Sequence, residues 1–171
     1  MKKCFVLCCF LVGLALSSSF SQSTVFIVRH AEKADDSKDA ELSQAGRARA
    51  EALANMLRDS KIGIICTTEF KRTQQTAAPL AKALGLTVTT LPAENHAALV
   101  AKLRTSTANS LVVGHGNTIP EVIKALGISE PVNIPDSDYD NLFVVLLGEK
   151  PYLIRLHYRC VYCSNDTSAA G

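Results

Sequence analysis

The sequence predicts an α/β fold: a three-layer, doubly wound, mostly parallel sheet with helices on both faces and an antiparallel hairpin at its C-terminal edge. Three observations carry this reading. Six short, β-rich apolar runs punctuate the chain, at residues 25–28, 62–66, 88–91, 111–113, 142–147 and 152–156. The first four are separated by segments with the period of amphipathic helices, and strands alternating with helices build a parallel sheet. The last two are joined only by "GEKP", too short for a crossover, so they form an antiparallel hairpin.

The chain opens with "MKKCFVLCCFLVGLALSSSFSQS", where Lys2 and Lys3 precede an apolar run of about 13 residues and a tract of small polar residues. That layout is a secretory signal peptide over residues 1–21, cut near Gln22, and the run is short for a membrane span of about 20 residues. The expected mature domain, residues 22–171, is long enough for one core and is secreted or periplasmic. No cysteine follows the apolar run closely enough for a lipoprotein.

The mature chain then alternates. After the first strand, 42–58 reads as a helix with Ser43 as N-cap and Ala50, Leu53, Ala54 and Leu57 on one face. A second helix, 69–84, stops at Gly85; shorter helices cover 97–103 and 118–126, the latter stopping at Gly127. Residues 127–141 form the longest irregular stretch, and the tail "SNDTSAAG" frays.

Charge excludes several functions. Taking the two leader lysines from the 18 basic residues leaves 16 against 16 acidic ones, so no basic field points to nucleic acid or an anionic membrane. Stable membrane insertion after processing is not expected, and no feature sets an oligomeric state. Cys66, Cys160 and Cys163 survive processing in a compartment where disulfides persist. Two cysteines two residues apart are local enough to meet, so Cys160 pairs with Cys163, closing a short loop of small stabilising effect, while Cys66 stays a buried thiol. "RCVYC" follows an edge strand rather than opening a helix, which argues against thioredoxin-like chemistry.

Ligands of open α/β sheets bind beyond the carboxyl ends of the strands. Three predicted strands end there in anion-binding chemistry: Arg29-His30 in "TVFIVRHAEKADD", Arg72 in "TTEFKRT" and His115 in "GHGNT". Helix starts after the second and fourth strands add N–H donors and dipole. A lone histidine or arginine at a strand end is ordinarily structural, and "GHGNT" alone could be a tight turn. Two of each converging on one sheet edge point to a phosphate site.

The ordered stretches "VRHAEK", "DAELSQAGRARAEALA", "TTEFKRTQQTA" and "VVGHGNT" resemble the histidine phosphatase (phosphoglycerate mutase-like) superfamily. The resemblance implies a phosphohistidine mechanism. His30 is the nucleophile, and Arg29, Arg72 and His115 bind the phosphoryl oxygens, splitting one difficult step into two. Guanidinium forks suit this task and supply the countercharge, so neither metal nor other cofactor is required. The proton donor belongs past a strand end, which suggests Glu94 in "TLPAENHAAL", with Glu32 as runner-up; Glu94 could instead simply favour the start of the following helix. "AEKADDSKDAE" lacks the asparagine with which glycolytic mutases bind phosphate, and the chain has no room for their insertions. The resemblance is to the short, uncapped branch.

The expected function is an exported phosphomonoesterase, acting on a small-molecule or envelope-linked phosphoester. Phosphohistidine-protein hydrolysis is the alternative within the family. Two readings from other classes are an inactive anion-binding module and a metallohydrolase using His30, His115 and nearby carboxylates as ligands; Arg29 and Arg72 would repel the metal of the second.

Overall fold

A computed structural model describes residues 23–160. The expected leader and Cys163 lie outside the described residues. The elements follow in the order β1 (Thr24–Arg29), α1 (Gln44–Leu57), β2 (Ile62–Thr67), α2 (Lys71–Leu84), β3 (Val88–Thr90), α3 (His96–Thr105), β4 (Asn109–Gly114), α4 (Ile119–Ala125), β5 (Asn141–Leu146) and β6 (Tyr152–His157). One sheet takes all six strands in the order β3-β2-β4-β1-β5-β6. The four strands β3, β2, β4 and β1 are mutually parallel, whereas β5 runs antiparallel to both β1 and β6. The mixed α/β sheet with its antiparallel edge hairpin is thus the predicted one.

Period-two alternation decides which helix each strand residue meets. Val25, Ile27, Cys66, Val112, Phe143 and Val145 face α3 and α4, packing on Val100, Leu103, Ile119, Val122 and Ile123. Val28, Ile65, Leu111, Val113, Leu142 and Val144 face α1 and α2, packing on Leu53, Leu57, Ala77 and Leu80. Each such buried leucine contributes roughly 1.5–3 kcal/mol over its exposed state.

Helix ends obey local chemistry. Ser43 caps α1, its Oγ accepting from Gly46 N at 3.0 Å, and Gly85 and Gly127 take positive φ of 65° and 102° after α2 and α4. The second helix starts at Lys71 rather than Glu69, because Phe70 acts as its cap and its carbonyl receives Thr73 N and Gln74 N. Cys66 is a free, buried thiol, pushed up in pKa by burial, and Cys160 is disulfide-bonded. Among the described residues no helix is long and apolar enough to cross a membrane.

The β1–α1 connection is pinned at its base. Ser43 N donates to Glu32 O at 2.9 Å, and the Arg49 guanidinium clamps the Glu32 carboxylate with contacts of 2.6 to 2.9 Å. Gly46 makes this approach possible: a Cβ there would stand 2.2 Å from the Glu32 carbonyl oxygen. Gly46→Ala must therefore push α1 away from the strand end, at an expected cost of about 1–3 kcal/mol, the usual range for overpacking. Urea unfolding of the variant beside the parent chain measures it.

Candidate active site

Register brings the histidines together. Arg29 of β1 pairs with Gly114 of β4, and His30 N donates to Gly114 O at 2.9 Å. The next residues along the two parallel strands, His30 and His115, hence leave the sheet side by side, with ring centroids 5.4 Å apart. On the other flank of β4, Thr67 of β2 pairs with Val113. Thr68 thereby reaches His115, and the first turn of α2 brings in Arg72. Arg29, His30 and His115 are nearly buried, at 7, 4 and 7% exposure.

These four side chains form the floor of a cavity of about 350 Å³. One wall is Lys33, Ser37 and Lys38 from the β1–α1 connection, the segment where the mutases' asparagine is missing. The other comprises Gly116, Asn117 and Asp136. Glu94 is not brought here: it is exposed, in the turn before α3, where Asn95 caps the helix by accepting from Ala98 N at 3.1 Å. Glu32 is committed to Arg49. Neither expected proton donor lines the cavity.

Hydrogen-bond partners assign the tautomers. His30 Nδ1 lies 2.8 Å from Ala31 O; a carbonyl only accepts, so Nδ1 carries the proton and Nε2 keeps its lone pair. His115 is the reverse. Its Nδ1 faces Arg72 Nη2, which can only donate, at 3.4 Å, so Nε2–H donates to Thr68 Oγ1 at 2.9 Å. Thr68 contacts Thr73 Oγ1 at 3.0 Å, and Thr73 donates to Phe70 O at 2.8 Å, which ends the chain on a fixed acceptor.

The arginines are anchored but not saturated. Arg29 Nη1 donates to Pro135 O and Asp136 O at 3.0 and 2.8 Å, its Nη2 lies 3.5 Å from the Asp136 carboxylate, and its guanidinium stands 4.6 Å from the Tyr139 ring centre. Arg72 Nη1 donates to Lys38 O at 2.9 Å. The Nε of both arginines is buried without a protein partner, a state costing about 1–3 kcal/mol per group. Pro135, Asp136 and Tyr139 were missed by sequence reasoning. They lie in the irregular 127–141 stretch, and the one available signal was the dense polar run "PDSDYDN".

Residues 25–95 match the model of the histidine phosphatase superfamily, branch 1. That match takes in the Arg29-His30 and Arg72 stretches and stops short of His115. Solved structures share the architecture. The protein histidine phosphatase SixA complexed with tungstate is 22% identical, covering 78% of this chain and 96% of its own, with a TM-score of 0.64. SixA from Agrobacterium tumefaciens is 25% identical, covering 78% and 97%, at 0.61. A mycobacterial glucosyl-3-phosphoglycerate phosphatase with inorganic phosphate is 17% identical, covering 80% and 97%, at 0.63. No curated protein matches the chain.

Burial keeps both imidazoles neutral at ordinary pH. Desolvation, aided by His115 and the two arginines, lowers the His30 pKa from 6.5 to about 3, against the opposing Ala31 bond. Desolvation and Arg72 lower His115 to about 4. Among the described residues no group of three or more His, Cys, Asp or Glu could hold a metal.

These depressed values set the sign of a stability change. The unfolded chain takes up protons near pH 6.5, while the folded site resists until about pH 3–4. Stability is therefore full above pH 6.5 and is lost as pH falls toward 4. Thermal unfolding should show a falling Tm between pH 7 and 4.5, and His30→Asn with His115→Asn should flatten that fall.

Proposed function

We propose that the chain is an exported phosphomonoesterase working through a phosphohistidine on His30. The observation that supports this most is the His30–Ala31 bond of 2.8 Å, which aims a neutral Nε2 lone pair into a cavity floored by two guanidinium groups. In the first step the Nε2 pair forms the N–P bond as the bond from phosphorus to the leaving oxygen breaks. The ring gains positive charge, which the Ala31 carbonyl stabilises through Nδ1–H. Arg29 and Arg72 hold the phosphoryl oxygens where transition-state charge sits, while His115 stands beside His30 with its Nε2–H donated to Thr68. In the second step water attacks phosphorus, the N–P bond breaks and phosphate leaves, the surplus proton passing to solvent. The leader-like segment supports export, and with it a small or envelope-linked ester rather than a cytoplasmic phosphoprotein.

His30→Ala should lose at least ~10³ in kcat on p-nitrophenyl phosphate, as removal of a nucleophile does. Quenched wild-type enzyme should carry an acid-labile, alkali-stable phosphoryl adduct on His30. Turnover near the parent rate in His30→Ala would refute the mechanism.

A second reading, phosphohistidine-protein hydrolysis, is favoured by one observation. Among the described residues lining the cavity the one carboxylate is Asp136, fully exposed and close to Arg29. An alkoxide needs a proton donor far more than an imidazole leaving group does. The SixA structures resembled by this chain point the same way. Leaving-group dependence separates the readings. If the enzyme is built for alkyl esters, Asp136→Asn should slow glycerol phosphate about 10²-fold and p-nitrophenyl phosphate little, with Glu94→Gln silent on both. Inertness toward alkyl esters together with rapid cleavage of phosphohistidine would establish the second reading.

A further inference from the structure

We propose that the rim of this cavity holds a second anion-binding subsite, centred on Lys38, so that the favoured substrate carries a carboxylate or another anionic group beyond its phosphate. The inference rests on the floor being the phosphate site. There the guanidinium groups of Arg29 and Arg72 meet one phosphoryl group.

The rim is separately charged. Residues 33–39 contain three acids and two lysines, and their side chains divide. The Asp35 carboxylate accepts from Ser37 N at 2.8 Å, Asp39 accepts from Lys71 N at 2.9 Å, and Asp36 pairs with Lys33 at 3.0 Å. None of the three lines the cavity, whereas Lys33, Ser37 and Lys38 all do. Lys33 is thus partly neutralised, while the exposed Lys38 ammonium has no hydrogen-bond or ion-pair partner among the described residues. Its backbone is not free to drift, because Lys38 O accepts from Arg72 Nη1 at 2.9 Å. The phosphate-binding arginine and the rim lysine are therefore registered to each other. Asp136, which lines the cavity beside Arg29, disfavours an anion placed next to it. The second group is steered to the Lys38 side.

The test compares phenyl phosphate with 3- and 4-carboxyphenyl phosphates at low ionic strength. The parent enzyme should favour a carboxylated ester about three- to fivefold in kcat/KM, the scale of an exposed ion pair. That preference should vanish in Lys38→Gln and shrink in 0.5 M salt. Equal kcat/KM for all three esters in the parent, or an unchanged ratio in Lys38→Gln, would overturn the subsite. If none of the esters is cleaved, the catalytic reading fails instead, and binding decides the subsite: phosphonoacetate must bind more tightly than methylphosphonate and lose that advantage in Lys38→Gln. Equal binding of the two would then overturn it.

Discussion

The parallel pairing of β1 with β4 is the constraint on which the site depends. Arg29 and Gly114 are register partners, so the residues that follow them, His30 and His115, emerge at one height, and the His30 N–H is tied back to Gly114 O. A slip of one residue would reverse the faces of β1, sending Val25 and Ile27 toward α1 and breaking both cores. The spacing of the two histidines is thereby locked by the same alternation that fills the interior. Chemistry and stability share one register.

A second layer of constraint fixes where the chain goes after His30. Glu32 is clamped by Arg49 of α1, and Gly46 lets the helix rest against the Glu32 carbonyl. Arg49 also reaches Tyr158 O at 3.4 Å beyond β6, so the carboxyl-terminal hairpin helps hold the active-site connection. The Glu32–Arg49 pair is largely desolvated. Removing one partner would leave a costly charge behind, whereas the intact pair specifies geometry more than it adds net stability.

Electrostatics then follow from burial. Two imidazoles beside two guanidinium groups cannot readily accept protons, and desolvation is the largest cause of the shift at both. The arginines are kept in place by carbonyl oxygens, from Pro135, Asp136 and Lys38, rather than mainly by carboxylates. Such neutral acceptors orient a cation without cancelling its charge, leaving most of it for an incoming phosphate.

The sequence by itself determined the element order, the hairpin edge, the Ser43 and Gly85 helix ends and the convergence of Arg29, His30, Arg72 and His115. Each of these follows from local patterning, or from the rule that strand carboxyl ends of a parallel sheet meet at one edge. The tertiary structure decided what pairs with what across the chain. Glu94 has a suitable position in sequence, yet beside the Asn95 cap it lies on an exposed turn and does not line the cavity. Glu32, two residues after His30, is claimed by an arginine 17 positions away. Pro135, Asp136 and Tyr139 reach Arg29 across more than 100 residues, from an irregular segment that has no period to read. A repeating hydrogen-bond pattern leaves its signature in sequence; an irregular loop is placed by contacts with distant partners, and those exist only once the chain has folded.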